Sequence, residues 1–299
     1  MRCGDTHARV STTNTTSSTN STAHNAHQLL PGHANRSKPV IAASAVVPAL
    51  AQSENPLYAP VKLLVPEVLS IRPHDPAAYT QGLLLHDGYL YESTGRKGFS
   101  TLRKVDPLSG EVLQRINIPE QYFAEGLALV GERLIQLTWK SEVAFVYDWE
   151  TFEKVGTFVY EGEGWGLCTD GRYLYMSDGT PFLDVRDPET FALIFSGLVT
   201  VQGSIVERIN ELECVGDHIY ANIYQTDYIV QIDKRNGVVT AVIDASTLLT
   251  EDERAGLDSE EVLNGIAYLP ETDTFLVTGK HWPWMFEVRF VEAEAQPQQ

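Results

Sequence analysis

From about Leu64 onward the chain is written in short apolar segments that alternate with polar positions and end at Gly, Asp or Pro. That period of two predicts β-strands separated by tight turns. Val105-Asp106-Pro107-Leu108-Ser109-Gly110 reads as one such turn, and so do Asp148–Thr151, Asp187–Thr190 and Asp233–Gly237. Few stretches hold a helical period over two turns. The exception is 247–262, which reads as a loop with a short helix.

Laid against itself, the chain repeats. Gln81-Gly82-Leu83, Glu125-Gly126-Leu127, Trp165-Gly166-Leu167, Asn210-Glu211-Leu212 and Asn264-Gly265-Ile266 each open an apolar run. A second run follows each, such as Asp87–Ser93 or Leu134–Trp139, and then a third, such as Leu102–Asp106 or Ala144–Asp148. The copies recur about 40 to 50 residues apart, with at least three strands apiece and a fourth expected in the less similar tail. Such units predict an all-β chain, a five-bladed β-propeller; a sandwich or barrel would not explain the repeated register.

In a propeller the innermost strands surround a channel, and side chains at their ends gather at one mouth. The first strands bring Gln81, Glu125, Trp165, Asn210 and Asn264, and the second strands end at Glu92, Trp139, Asp178, Tyr224 and Lys280. Amides, indoles and charges are costly to bury without partners, so a funnel-shaped polar site is expected there. Glu125 stands out, because other copies carry an amide or indole at its place. Glu92 and Asp178 read as residues that fix blades, outside the catalytic set. His74, His218 and His281 read as surface or loop residues, and no Ser-His-Asp order is apparent.

Composition bounds the rest. The chain has 299 residues, 43% of them hydrophobic, enough for one large domain with a full core. A net charge of −18 argues against nucleic acid and anionic membranes as partners. Three cysteines, Cys3, Cys168 and Cys214, make no disulfide framework, and Cys168 and Cys214 read as small buried apolar residues. No zinc-type spacing occurs. Residues 1–65 form a low-complexity tail, rich in Ser, Thr, Asn and His at its start. Within it, 36–51 has the basic, apolar, Ala-x-Ala order of a secretory signal. This reads as export to the periplasm or outside, or else as a chance apolar patch, since signals begin at the N-terminus. The patch is too short to span a bilayer. The folded domain is expected over 66–292, with a disordered C-terminal tail at 293–299.

The motifs also resemble a known family. Tyr79-Thr80-Gln81-Gly82-Leu83, Tyr122-Phe123-Ala124-Glu125-Gly126-Leu127 and Gln136-Leu137-Thr138-Trp139-Lys140 are similar to the plant and bacterial glutaminyl-peptide cyclotransferases, the glutaminyl cyclases. Trp165-Gly166-Leu167-Cys168-Thr169-Asp170-Gly171, Asn210-Glu211-Leu212-Glu213, Leu263-Asn264-Gly265-Ile266-Ala267 and Gly279-Lys280-His281-Trp282-Pro283 continue the series in order, from about Tyr79 to Val288. The resemblance implies a five-bladed, zinc-independent acyltransferase that converts N-terminal glutamine of peptides and proteins to pyroglutamate and releases ammonia. It implies Glu125, Lys280, Asn210 and Gln81 as catalytic residues, with Tyr79, Phe123, Trp139, Trp165 and Tyr224 holding substrate. Tyr224 stands where the family usually has Trp, Tyr79 where it usually has Phe, and Ala124 where a small or flexible residue such as Gly is usual. Lys280 is expected either to stabilise negative charge on oxygen or to hold Glu125 ionised. No cofactor is required, though a structural divalent ion such as calcium could occupy the channel. A monomer is expected. The rivals are a metal-dependent propeller lactonase, with Glu125, Asn210 and Asn264 as ligands, and a propeller that binds peptides without catalysis.

Overall fold

The structure, a computed structural model, describes residues 60–293. The expectations for the N-terminal tail up to 59, its signal-like segment, and residues 294–299 lie outside the described residues. The described chain is nearly all β. It begins with β1 (Lys62–Pro73). Three four-stranded antiparallel sheets follow, each in chain order. The first holds β2 (Thr80–His86), β3 (Tyr89–Thr94), β4 (Thr101–Val105) and β5 (Val112–Asn117). The second holds β6 (Ala124–Val130), β7 (Arg133–Thr138), β8 (Val143–Asp148) and β9 (Lys154–Val159). The third holds β10 (Leu167–Thr169), β11 (Leu174–Ser177), β12 (Phe182–Arg186) and β13 (Leu193–Leu198).

A small hairpin, β14 (Thr200–Val201) and β15 (Ser204–Ile205), leads to β16 (Ile209–Val215), β17 (His218–Ile223), β18 (Tyr228–Asp233) and β19 (Val238–Asp244). A short helix, α1 (Glu251–Ala255), precedes β20 (Leu263–Leu269), β21 (Thr274–Gly279) and β22 (Trp284–Glu292). The helix falls inside the segment read as a loop with a short helix. Thr250 caps it and Glu253 returns the bond, the reciprocal box that satisfies orphan donors.

The last three strands lack a fourth of their own. The strand β1 supplies it, pairing antiparallel with β22 from Leu64 opposite Glu292 to Pro73 opposite Trp284. At its other edge β1 pairs in parallel with β19, which merges the last two units into one sheet. Lys62–Val65 therefore belong to a strand.

The burial pattern follows from this stacking. First strands such as Thr80–His86 and Ala124–Val130 are buried on both faces over five residues. Fourth strands such as Val112–Asn117 alternate between half-buried and exposed, as an outer strand should. The apolar side chains fall into clusters between successive units. Leu84 and Tyr91 meet Leu134 and Phe145, Ile135 and Ala144 meet Leu174 and Met176, and Val185 meets Ile209 and Ile219. Ile229 and Ile243 meet Ile266 and Phe286. A further cluster joins Leu83 and Leu90 to Ala267 and Leu276, so the last unit packs on the first. The turns between third and fourth strands of the first three units share one device. Asp106, Asp148 and Asp187 each accept from the backbone N–H groups two and three residues on, as the sequence signature requires.

The cysteine expectation is corrected. Cys168 and Cys214 form a disulfide, with Cα atoms 5.6 Å apart. They stand at nearly equivalent positions after Trp165 and Asn210, on the first strands of successive units, and that equivalence places them side by side.

Candidate active site

The heads of the first strands are irregular. Pairing with the second strand shifts register between Thr80 and Gly82, Ala124 and Leu127, Ile209 and Leu212, and Leu263 and Ile266. Gln81, Glu125, Asn210 and Asn264 each sit inside such an interruption. A bulge re-aims the side chain it contains, which is how these residues leave the alternating pattern.

One cavity of about 190 Å³ opens here, lined by Tyr79, Gln81, Phe123, Glu125, Trp139, Trp165, Asn210, Tyr224, Glu260 and Lys280. All nine residues chosen from sequence are brought together in it. Asn264 is not in the lining; its amide donates to the Thr80 carbonyl at 2.9 Å and to Gln81 Oε1 at 3.3 Å, fixing the neighbouring amide. Glu92 is also absent. It is buried behind the wall, where it accepts from Thr80 Oγ1 at 2.7 Å and meets His74 Nε2 at 2.9 Å. Burial alone would raise Glu92, but His74 and Arg103 outweigh it and hold the carboxyl low. His74 lies in the loop after β1, within its reading as a surface or loop residue, but it is buried there as the partner of Glu92. Asp178 caps the next turn through Thr180.

The walls are aromatic and closed by carboxylates. Trp139 meets Phe123 edge-on at 5.7 Å, and Phe123 meets Tyr79 at 6.1 Å. On the other side Trp165 meets Tyr224 at 5.6 Å. Two glutamates join the halves. Glu163 Oε2 accepts from both indoles, Trp139 Nε1 at 2.6 Å and Trp165 Nε1 at 3.0 Å. Glu260 Oε2 accepts from Tyr79 Oη at 3.2 Å and Tyr224 Oη at 2.6 Å. Neither glutamate was found from sequence. Glu163 lies just ahead of the repeat that begins at Trp165, and Glu260 lies in the acidic run 258–261 of a loop. Glycines back the wall: a Cβ at Gly95 would come within 2.4 Å of Phe123, and one at Gly179, whose φ is +83°, within 2.6 Å of Trp165.

Two of the titratable groups that line the cavity, Glu125 and Lys280, are pushed toward neutrality. Burial holds Glu125 well above the usual carboxylate range; Lys280 opposes this and Glu163 reinforces it. Burial also brings the Lys280 ammonium down to about 8, against the pull of Glu125 and Glu260 and with the push of Arg96. Glu163 is held low: burial raises it, but the Trp165 and Trp139 N–H donors and Lys140 prevail. Among the described residues no group of three or more His, Cys, Asp or Glu is placed to hold a metal ion. No described helix is long and apolar enough to cross a membrane.

A family model described as glutamine cyclotransferase matches residues 40–290. The chain is 39% identical over 232 residues to a glutaminyl-peptide cyclotransferase of Arabidopsis thaliana, covering 77% of this chain and 72% of that relative. It is similar to the crystal structure of Myxococcus xanthus glutaminyl cyclase, with a TM-score of 0.74 and 39% identity, over 79% of this chain and 100% of that one.

Proposed function

The chain belongs to the glutamine cyclotransferase family, and on that premise we propose how its cavity works. The protein is a glutaminyl-peptide cyclotransferase acting on peptides that begin with glutamine. The substrate's α-nitrogen attacks its own γ-carboxamide carbon. A C–N bond forms in a five-membered ring, the original amide C–N bond breaks, and ammonia leaves. Both reacting groups are already tethered, and effective molarities in such systems can reach on the order of 10⁵–10⁸ M, so holding the chain bent supplies most of the advantage. The remaining task is to move one proton from the attacking nitrogen to the departing one.

Glu125 is the proton carrier in this reading, and its setting is the observation that supports it. Two carboxyl groups line the cavity, and Glu260 is engaged by two tyrosine hydroxyls. Glu125 is buried, with burial, Lys280 and Glu163 as the influences on its proton. A carboxyl raised toward the pH of the reaction can both accept and deliver a proton. Lys280 stabilises negative charge on the carbonyl oxygen as the tetrahedral centre forms. Gln81 and Asn210 orient the amine and amide. Trp139, Trp165, Phe123, Tyr79 and Tyr224 hold the glutamine stem and exclude water. The indoles do this with their faces and edges, since both indole N–H groups already donate to Glu163.

We read the fold as a five-bladed β-propeller, supported by the four-stranded units and by the cluster that packs the last on the first. The reaction as written needs no cofactor; a structural calcium in the channel would stand apart from the proton transfer. The metal-dependent lactonase reading is weakened because Asn264, one of its three ligands, does not line the cavity with Glu125 and Asn210. The disulfide Cys168–Cys214 supports export, because such bonds persist in oxidising compartments. The protein acts as a monomer on this reading. The deciding experiment mixes purified protein with a Gln-initiated dipeptide and follows ammonia, with and without EDTA. Release that survives EDTA is expected. No ammonia between pH 6 and 9 would favour a binding module, and loss with EDTA would favour a metal enzyme.

A further inference from the structure

Tyr79 and Tyr224 come from distant parts of the chain, yet they converge twice. Their hydroxyls both donate to Glu260 Oε2, and the Lys280 ammonium lies 4.8 Å from the centroid of each ring. Aromatic faces attract a cation, more strongly when water is excluded. Lys280 is only 2% exposed, and no hydrogen bond to Glu125 or Glu260 contributes to holding its proton. Its N–H donors are therefore not occupied by a carboxylate, while its position is held by two rings.

The loop that carries Glu260 is itself tied to the lysine. Lys280 N donates to the Val262 carbonyl at 2.9 Å, and Trp282 Nε1 donates to the Glu261 carbonyl at 3.0 Å. The loop is braced internally, with Glu260 N donating to Asp258 Oδ1 at 2.7 Å. Glu260 is thus fixed relative to the strand end that bears Lys280.

We propose that Glu260 is a positioning residue of this site: by pinning the hydroxyls of Tyr79 and Tyr224 it holds the two rings that clamp the Lys280 ammonium and present it to the cavity. The inference rests on the reading of Lys280 as the cation that meets the substrate oxygen. A neutral residue at 260 would loosen both rings and remove one anion from the lysine's surroundings. The charged and titratable groups left around Lys280 would then be Glu125 from β6, Arg96 from the loop after β3, and the two tyrosines. Burial keeps both tyrosines protonated, and Arg96 stacks 4.6 Å from the Tyr79 ring.

The test compares Glu260→Gln, the double variant Tyr79→Phe with Tyr224→Phe, and the triple variant. Two quantities are read: kcat and KM for ammonia release across pH, and the titration of Lys280 by competitive amine labelling with mass spectrometry. Glu260→Gln should move the Lys280 titration, and the alkaline limb of kcat/KM with it, about one pH unit toward acid. The double tyrosine variant should lose about tenfold in kcat with KM changed less, and the triple variant should be little worse, because residues acting as one unit are not additive. An unmoved Lys280 titration in Glu260→Gln, or losses that multiply in the triple variant, would overturn the inference. If the wild-type protein releases no ammonia, the catalytic reading fails by itself, and the labelling alone then decides whether the clamp exists.

Discussion

Replacing Glu125 by Gln changes one oxygen to NH₂ at the centre of the cavity. The side chain is 4% exposed, and its proton is governed by burial, Lys280 and Glu163. No hydrogen bond from the protein figures among those influences, so the amide breaks no bond that the folded state depends on. Folding should be kept or improved at neutral pH. Burial raises the folded-state pKa above the unfolded value, so the wild-type carboxyl favours the fold fully only below its unfolded pKa. That contribution is lost as pH rises through the folded-state pKa. The Gln variant should therefore gain in relative stability as pH climbs and lose the gain in acid. Activity should go the other way. Removing a general acid-base group costs roughly 10²–10⁴-fold, about 3–5 kcal/mol of transition-state stabilisation. The loss should appear in kcat, with KM changed little, because on the proposed reading Trp139, Trp165 and Asn210 would still hold the glutamine stem. Ammonia release from a Gln dipeptide measures the first, and thermal melts followed by circular dichroism measure the second. A folded variant that keeps more than about a tenth of wild-type turnover has lost under ~1.4 kcal/mol, and Glu125 would then not be the proton carrier.

Reducing the Cys168–Cys214 bond, or replacing both residues by Ala, should destabilise the fold by up to about 4 kcal/mol, the loop-entropy value for a 46-residue separation; denaturant titration with and without reductant will show it. Glu163→Gln should shift the pH-rate limb that reports Glu125 toward acid, because the Glu163 charge helps keep that proton on; an unshifted limb would detach Glu163 from the site's electrostatics. Glu211 bridges units, accepting from Leu83 N at 3.3 Å and Ile266 N at 2.9 Å. Glu211→Gln sets an NH₂ against a backbone donor and should cost about 1–3 kcal/mol in chemical denaturation.

The repeat was legible because each copy spells the same local problem: a polar residue, a glycine, and an apolar run buried on both faces. Gln81, Glu125 and Asn210 could be placed at one mouth from that register, and the cavity gathers them. What escaped shares a different cause. The bond between Cys168 and Cys214 depends on two first strands being neighbours in space, which the repeat implied but which three cysteines without a framework concealed. The strand β1 completes the last unit from the other end of the described chain, a pairing set by closure and not by local pattern. Glu163 and Glu260 lie outside the strands, in loops whose acidic residues look like solvated surface. Only their partners, two indoles and two tyrosines from separate units, give them a role.

On the proposed mechanism, the buried setting of Glu125 is also what would let a glutamate serve as the proton carrier. A carboxyl at its ordinary value of 4.5 facing an α-amine of roughly 8 would face a gap of about 3.5 units, near 5 kcal/mol, for each proton it took. Burial lifts Glu125 well above that value, narrowing the gap. The same effect lowers Lys280 to about 8, close to the amine. Acid and cation are thus both shifted toward the range of the amine, which on the proposed mechanism lowers the cost of moving a proton among them. A polar channel lined by solvated carboxylates would bind the same peptide terminus yet leave its protons in separate ranges. On the proposed mechanism the chemistry therefore depends on the burial of Glu125 as much as on the presence of a carboxyl group.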